Sequence, residues 1–490
     1  MSYYYKSIQL SILIFCFASS LFAQFSGSNL GEFQYGRLPN DSTSVATVYD
    51  RIVTSYSFGS FKTRVVFEGF ETGIPESDYL ALSQFSIRFK KRPFELEIGN
   101  FYETIGRGVL LRSFEVPGAI LEDHSFRSRH YFHRDMLGVN ARYRQSKIDM
   151  KFIYGKPLNY VFPPTIEKES RRPDEIAAFY IDYNLGKQTL GAAMMTHVNG
   201  IHRDNYSMIN TNGSLFGKLS YYTEIAKNIS DHELDDFSRN TSYGIYSNLN
   251  FFTNRLGISF EYKNYNRFVI GAGINEPPAG IKEHTYSVLN RSTHVLQPDN
   301  ETGYQFELFY NFLNNSILTL NTSLAQNKQA NTEFIFEEYF AEYDFIMFDS
   351  IDMKCFVDFA EDLFKLEQQR VSIGFNAIWA MLTNSSAEIG YQNQRFDRLN
   401  QRVQNHVLAL DFHYAPKWST NILYEYSNDP FLTERTSARW LGVGLRHKLN
   451  RKNSLQVFAG NRRGGPACQA GVCYEVLDFS GVEIRFTSRF

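Results

Sequence analysis

The chain has 490 residues and a formal net charge of -2, so its charge balance does not point to a nucleic-acid partner. Aromatic residues make up 16% of the chain, yet its mean hydropathy is only -0.33. Beyond the N-terminus it has no run of about 20 apolar residues, which a helical membrane protein needs. A membrane β-barrel reconciles these features, because every second residue of its strands faces the lumen and can be polar.

The first residues have the pattern of a secretory signal peptide, predicted at residues 1–23. Lys6 supplies the positive charge, an apolar stretch follows, and Ala23 is a small residue at the expected cleavage point. The segment 24–60 is interpreted as an N-terminal segment with the first strand or strands. Residues 61–490 are interpreted as an outer-membrane β-barrel.

Along the mature chain, apolar and polar residues alternate over stretches of roughly ten residues, which is typical of barrel strands. A hairpin turn at residues 92–93 places Lys90 opposite Glu95 and Arg88 opposite Glu97. One face of this hairpin is then apolar, and the other is a ladder of opposite charges. We predict that this charge ladder faces the lumen, where each pair contributes a few tenths to about 1 kcal/mol.

The connections between the predicted strands alternate between short and long. Outer-membrane barrels place short turns in the periplasm and long loops outside. One break in this order disappears if residues 204–210 form an additional strand that turns at Asn212-Gly213. The pattern predicts an all-β chain that forms a transmembrane, antiparallel, up-and-down β-barrel of about 22 strands, an even number between about 20 and 24. A soluble β-sandwich or propeller is the alternative, but no blade-length repeat is present.

The last strand ends at a terminal aromatic residue, Phe490, which shares one face with Val482, Ile484 and Phe486. This arrangement resembles the signal that the barrel-assembly machinery reads during insertion. The predicted location is therefore the cell outer membrane of a Gram-negative organism. Outer-membrane lipid and lipopolysaccharide are the expected surroundings, and other envelope proteins are candidate partners.

Several stretches carry a family resemblance. Residues 460–468 read GNRRGGPAC, and residues 473–483 read CYEVLDFSGVE. Residues 99–103 read GNFYE, and residues 107–112 read RGVLLR. These stretches resemble an uncharacterised outer-membrane β-barrel family of Bacteroidota, over most of the mature chain. The resemblance implies the barrel fold and the outer-membrane location, and it implies no activity.

Signal cleavage leaves three cysteines. Cys468 and Cys473 lie close together in a glycine-containing stretch, and an oxidising compartment permits a disulfide between them. A metal site is the alternative, but two thiols do not fill a tetrahedral coordination shell. Cys355 has no assigned role.

Residues 103–135 are the best candidate for a loop that folds into the lumen, because glycines give backbone freedom and the loop is too apolar for a solvated tip. The candidate inward residues are Val109, Leu110, Leu111, Arg112 and Phe114. The same loop holds His124, His130 and His133, which would suit zinc or another transition metal. Their spacing matches no known site, so neither a metal nor a cofactor is predicted.

Residues 327–367 combine many carboxylates with recurring aromatic residues. Carboxylate oxygens suit calcium or the divalent ions that bridge lipopolysaccharide, and the aromatic residues favour a docking surface. We therefore predict a docking or cation-binding loop. Its candidate residues are Glu337, Glu338, Glu342 and Asp344.

Catalysis is not predicted: His406, Asp411 and His413 share one strand, but no nucleophile motif such as G-x-S-x-G accompanies them. The segment 24–60 is too short for the plug domain of a TonB-dependent transporter. Two functions remain. The favoured one is a scaffold or subunit of an envelope complex that docks partners through long extracellular loops. The alternative is a porin-like channel for a small solute, which the size and the charged lumen favour.

Overall fold

The computed structural model describes residues 25–37, 43–75, 77–122, 129–158, 172–200, 202–230, 242–329, 332–431, 437–469 and 472–490. The predicted signal peptide lies outside the described residues. Strands dominate this part of the chain, and none of its helices is long and apolar enough to cross a membrane.

Twenty-four strands form a single sheet. They are β1 (Phe25–Arg37), β2 (Val45–Phe58), β3 (Phe61–Glu71), β4 (Tyr79–Lys91), β5 (Phe94–Phe101), β10 (Met136–Gln145), β11 (Ile148–Pro157), β12 (Asp174–Asn184), β13 (Gln188–Asn199), β14 (His202–Leu215), β15 (Leu219–Asn228), β16 (Tyr243–Phe252), β17 (Leu256–Asn266), β18 (Asn300–Asn311), β19 (Ile317–Gln329), β20 (Thr332–Met347), β21 (Ile351–Asp362), β22 (Glu367–Leu382), β23 (Ser385–Arg398), β24 (Gln401–Tyr414), β25 (Trp418–Ser427), β26 (Ala438–Lys448), β27 (Asn453–Arg462) and β30 (Phe479–Arg489).

The remaining elements of the described chain lie in the connections. They are the short strands β6 (Thr104–Ile105), β7 (Leu111–Arg112), β8 (Phe114–Glu122), β9 (Arg129–Arg134), β28 (Gly465–Gln469) and β29 (Val472–Val476), and the helix α1 (Ser287–Arg291).

Each barrel strand pairs antiparallel with its neighbour, and the first strand pairs with the last. In that closing pair, Ser28 lies opposite Arg489 and Arg37 opposite Ser480. The sheet is therefore a closed barrel without free edges. This confirms the predicted transmembrane β-barrel, with a strand number at the upper end of the expected range. The segment 24–60 supplies β1 and β2, and residues 333–359 form most of the hairpin β20–β21.

The connections divide the barrel into two ends. At one end, which we call the turn end, every connection is short, from residues 59–60 to residues 449–452. The opposite end, the loop end, carries the long connections, including residues 102–135, 267–299 and 463–478. β1 begins and β30 ends at the turn end. Between them, successive described strands run in opposite directions, as the sequence predicts.

The predicted turn at Asn212-Gly213 is wrong. Both residues lie inside β14, where Asn212 is paired with Thr189 on one side and Tyr222 on the other. The chain turns at residues 216–218 instead, and Phe216 and Gly217 take the positive φ angles of 53° and 70°. Pairing with two neighbouring strands stabilises an extended Asn-Gly that would favour a turn in an isolated hairpin.

Candidate functional site

Three connections at the loop end fold back onto the strands, and we call them inserts. The first insert is residues 102–135, the second is 267–299 and the third is 463–478. The second insert contacts side chains of β17, β18, β20, β22, β23 and β25. One segment reaches strands so far apart around a closed sheet only from its inside. The inserts therefore occupy the lumen at the loop end.

The tip of the first insert packs into the apolar core of the lumen. Val109, Leu110 and Leu111 are buried in one cluster with lumen-facing side chains of the barrel strands, among them Tyr180 and Tyr246. Burial of such a side chain contributes about 1.5 to 3 kcal/mol. The residues predicted to turn inward thus lie against the barrel wall.

A glycine lets this tip approach the wall. Gly106 has a φ of 61°, and a Cβ atom there would lie 2.3 Å from Oε2 of Glu224 on β15. The same carboxylate accepts hydrogen bonds from the backbone N–H of Arg107 at 2.7 Å and from the Tyr222 hydroxyl at 2.5 Å. Glu224 therefore holds the turn of the first insert through its backbone.

Polar contacts anchor the base of the first insert to the first strands. Arg129 forms a buried ion pair with Glu32 on β1, and the Tyr131 backbone N–H donates to Glu68 on β3 at 2.7 Å. Asp135 accepts from Gln84 on β4 at 2.7 Å and pairs with Arg172. Burial would raise the pKa of Asp135, but the charge of Arg172, together with His133 and the hydrogen bonds from Arg172 and Gln84, holds that pKa below its ordinary value.

The other two predicted inward residues, Arg112 and Phe114, lie at the edge of this packing. The Arg112 backbone N–H donates to the carbonyl of Ile274 in the second insert at 3.1 Å, and its guanidinium lies 5.5 Å from the Phe114 ring centroid. Phe114 packs edge-on against Phe132, with ring centroids 5.7 Å apart.

The second insert is held mainly by ion pairs and hydrogen bonds. The Tyr265 hydroxyl on β17 donates to the carbonyl of Pro278 at 2.8 Å, and His284 lies 3.0 Å from Glu338 on β20. At α1, Arg291 pairs with Glu425 on β25, with Nη2 and Oε1 3.0 Å apart. These contacts bridge the lumen from β17 to β25.

Arg370 on β22 is the hub of this network. Its fully buried guanidinium lies 3.1 Å from Glu338 on β20, 3.4 Å from Asp358 on β21 and 3.0 Å from Glu367. It also donates to the carbonyl of Ser292 in the second insert at 3.2 Å. One cation thus pairs with buried carboxylates of three strands and fixes the insert to them.

His294 anchors the second insert beyond α1. Its ring nitrogens lie 3.2 Å from Glu301 and 3.5 Å from Asp362. Burial lowers the pKa of His294, but these two carboxylates outweigh it and raise that pKa above its ordinary value. Lys365 donates to the neighbouring carbonyl of Thr293 at 2.7 Å.

The first two inserts also bind each other. The side chain of Asn275 donates to the carbonyl of Val109 at 3.0 Å, and the Glu276 backbone N–H donates to the carbonyl of Gly108 at 3.2 Å. An ion pair joins Arg134 to Glu276 at 2.9 Å. The two inserts therefore form one continuous body within the barrel.

The third insert covers this body. Its strand β28 contacts α1, and its strand β29 contacts β8. Arg463 lies 5.4 Å from the ring centroid of Trp440 and donates to Asn405 at 3.3 Å. Burial and the neighbouring guanidinium of Arg291 lower the pKa of Arg463 to about 10.

The register of β28 and β29 places Cys468 opposite Cys473. Directly opposed residues of antiparallel strands have Cα atoms about 4.5 to 5.5 Å apart, within the range that a disulfide needs. Their side chains lie outside the described part of the structure, and the disulfide stays a prediction. We expect the tryptic peptide 464–485 to gain two hydrogen atoms in mass on reduction. Equal masses with and without reductant would reject the bridge.

The charge ladder lies at the turn end, away from the inserts. Lys90 is opposite Glu95 and Arg88 is opposite Glu97, which is the predicted register. Arg88 also reaches the neighbouring row, where its Nε donates to Glu95 at 2.6 Å, while Lys90 and Glu95 are 3.6 Å apart. Because Arg88 and Lys90 are largely exposed, the pairs contribute about 0 to 1 kcal/mol each.

The predicted placement of the acidic residues in a loop is wrong, and their docking or cation-binding role stays a prediction. Glu337, Glu338, Glu342 and Asp344 all lie on strand β20. Glu338 is buried against Arg370 and His284, and Glu342 accepts a hydrogen bond from Tyr286 at 2.5 Å. Pairing with neighbouring strands makes this acidic stretch part of the barrel wall. The partners of its buried carboxylates lie far away in the sequence, so the local pattern does not reveal them.

The histidines of the first insert have structural contacts. His130 stacks on Tyr79 with ring centroids 4.7 Å apart, and His133 lies 3.0 Å from the carbonyl of Tyr131. His124 lies outside the described residues. Within the described ranges, no group of three or more His, Cys, Asp or Glu side chains is placed to hold a metal ion.

The other singled-out residues lie on barrel strands. On β24, His413 is 3.8 Å from Glu388 and Asp411 accepts from Asn421 at 2.8 Å, while His406 bonds to Tyr391 on the opposite face. Cys355 on β21 is a free thiol.

The C-terminal signal residues lie along the closing seam. Val482, Ile484 and Phe486 are partly exposed on the outer face of β30. Phe490 exchanges backbone hydrogen bonds with Gly27 at 2.9 and 3.0 Å, and its ring stacks on Phe25 at 5.8 Å. The terminal residue thus takes part in closing the barrel.

Solved structures with similar folds are outer-membrane barrels. The E. coli P pilus tip assembly intermediate PapC-PapD-PapK-PapG has 11% identity and a TM-score of 0.53, covering 95% of this chain and 60% of that chain. The translocation pore of the P pilus usher PapC has 9% identity and a TM-score of 0.47, covering 95% and 99%. The siderophore receptor PirA from Pseudomonas aeruginosa has 8% identity and a TM-score of 0.45, covering 95% and 80%. At such identities the likeness concerns the fold alone.

None of the curated proteins matches the chain. A family model does: the family of unknown function DUF6029 matches residues 202–490, which is more than half of the chain. The chain therefore belongs to the DUF6029 family.

Proposed function

We propose that this chain is an outer-membrane protein whose barrel is closed by its own inserts, and that it serves as a scaffold or subunit of an envelope assembly. The observation that carries the proposal is the second insert, residues 267–299. It crosses the lumen from β17 to β25 and binds the first insert. A lumen sealed by buried ion pairs suits a protein that holds partners better than one that passes solutes.

The outer-membrane location rests on the outer face of the strands. Large apolar side chains are exposed there around the barrel, among them Phe33, Phe85, Phe152, Phe260 and Ile389. Such a band is what the acyl chains of a membrane cover. The signal peptide and the Bacteroidota source stay predictions. Lipopolysaccharide is a proposed partner because of the apolar outer face, and the barrel-assembly machinery because of the strand that ends at Phe490.

A porin-like channel is the second candidate, favoured by the polar lumen at the turn end. A cavity of about 180 Å³ lies on the wall there, lined by residues that include Asp411, Arg446 and Glu483. Pockets for small ligands usually measure about 300 to 1,000 Å³, so this cavity is small for a solute site.

Planar-bilayer recording of the purified full-length protein tests the proposal. We expect no stable large openings, because the two joined inserts block the path through the loop end. Stable large openings of the unmodified protein would instead support the channel. Co-purification with the same envelope proteins from mild detergent would support the scaffold, and a lone, closed barrel would count against it.

A further inference from the structure

A single carboxylate lies on the outer face of the second strand. Tyr49 and Arg51, which flank Asp50 in β2, point inward: the Tyr49 hydroxyl donates to Glu68 at 2.9 Å, and Arg51 lies 3.7 Å from the Tyr131 ring centroid in the first insert. Successive side chains of a strand point to opposite faces. Asp50 therefore faces the membrane.

Asp50 lies near the middle of the apolar band. In the pair β1–β2, Tyr35 lies opposite Ala46 near the loop end, and Tyr56 lies opposite Phe25 near the turn end. At about 3.3 Å per residue and a tilt of about 40°, Asp50 is roughly 10 Å from the first row and roughly 15 Å from the second. Since an apolar band is about 25 Å tall, both interfaces are distant.

The neighbours of Asp50 form a notch. Gly31 on β1 and Gly69 on β3 lie directly opposite it. Beyond these glycines stand Phe486 on β30 and Leu80 on β4. The carboxylate thus lies at the floor of a shallow depression with apolar walls, which we call the Asp50 notch.

No cation of the described chain reaches this carboxylate. Its side-chain hydrogen-bond partner is Asn29, whose amide donates to Oδ1, and no ion pair joins Asp50 to any described residue. The other outward-facing carboxylates of the described strands lie near the loop end, where water and headgroups solvate them. They are Glu71, Glu175, Glu333, Glu337, Glu361 and Asp397.

A carboxylate at this depth is costly, and such residues usually have a partner within the membrane. Acyl chains offer no hydrogen-bond donor. We propose that the Asp50 notch docks a membrane-embedded segment of another protein that presents a Lys or Arg side chain at mid-membrane depth. The inference rests on the scaffold function proposed above and gives that function a lateral attachment point.

A second copy of this chain fits the notch poorly. A two-fold contact centred there would bring one Asp50 against the other, because the same patch forms both halves of such an interface. The nearest outward rows, at Phe33, Val48, Ile52 and Phe67, supply no cation to compensate. Charge complementarity therefore favours a different protein.

Site-specific photocrosslinking in the native outer membrane tests the proposal. A photoreactive residue at Val48, one outward row from Asp50, should give one protein adduct. The crosslinked peptide should come from a membrane-embedded segment containing Lys or Arg, and changing that residue to Met should abolish the adduct. The matched control is the same photoreactive residue at Phe260, on the far wall, which should not give it.

Variants of Asp50 define the role of the charge. We expect Asp50→Ala and the near-isosteric Asp50→Asn to lower the adduct yield, with affinity falling by about 30-fold or more, as for a lost buried charge pair. Asp50→Glu should retain the adduct. Heat-modifiable migration on gels verifies that each variant is folded. No adduct, an adduct insensitive to Asp50→Ala, or crosslinks only to lipid or to a second copy would overturn the proposal. Bilayer recording tests the scaffold function independently.

Discussion

Removal of most of the second insert is expected to convert a closed barrel into a conducting one. In this variant, residues 269–297 are replaced by a short Gly-Ser linker. The strands on either side remain neighbours, because Asn266 lies opposite Asn300 in the pair β17–β18. A short hairpin loop can therefore join them without changing the wall.

The size of the barrel sets the size of the expected effect. Barrels of 16 to 18 strands already leave an aqueous channel, and barrels of about 22 strands need a plug to close. This barrel has 24 strands. Without the second insert, the first remains, anchored mainly from β1 to β15. The third insert also remains, but it loses its contact with α1. We expect stable openings at least as large as those of 16- to 18-stranded porins.

Bilayer recording of the variant beside the unmodified protein is the measurement, with heat-modifiable gel migration to verify folding. The matched control is Glu95→Gln, which alters a lumen charge at the turn end that does not touch either insert. It should leave the protein closed. A folded deletion variant that also stays closed would show that the second insert is not the barrier.

The barrel wall could be predicted from the sequence because its rules are local. Alternation with a period of two assigns each side chain to a face, and a short turn then fixes the register. That is why the pairing of Lys90 with Glu95 follows from a dozen residues around 92–93. The closing strand follows for the same reason, since Val482, Ile484 and Phe486 alternate regularly with polar residues.

The second insert could not be predicted in the same way. Its anchors join residues far apart in the chain: Arg291 pairs with Glu425, and the carbonyl of Ser292 accepts from Arg370. No local period encodes such pairs. One signal was nevertheless available in the sequence: apolar residues flank Gly271 and Gly273, as they flank the glycines of the first insert. Two of them, Ile270 and Ile274, belong to the same buried cluster as the tip of the first insert.

Contacts between residues far apart in the chain also explain why the acidic stretch 327–367 was wrongly predicted to be a loop. Glu338 looks like a surface residue in sequence because its partners, His284 and Arg370, lie outside the segment 327–367. Isolated carboxylates favour solvent, but carboxylates that meet a buried guanidinium can form part of a wall. The buried position of Glu338 therefore depends on a cation that is distant in sequence.

Loss of the charge at Arg370 is expected to destabilise the barrel strongly. Arg370→Met keeps a similar volume but leaves Glu338, Asp358 and Glu367 buried without their common cation. Removal of one partner from a buried ion pair typically costs about 3 to 5 kcal/mol of unfolding free energy. Guanidinium unfolding of the purified protein in detergent measures the change.

Two comparisons separate the charge from the volume of this side chain. Arg88→Met removes a largely exposed guanidinium from the charge ladder and should cost less than about 1 kcal/mol. Adding Asp358→Asn to Arg370→Met should recover part of the lost stability, because among the described residues Asp358 forms an ion pair with Arg370 alone. Glu338 and Glu367 keep His284 and Arg398, respectively, as partners. If Arg370→Met unfolds at the same denaturant concentration as the unmodified protein, the buried network does not hold the second insert in place. The insert would then depend on its apolar contacts, and the closed lumen would need another cause.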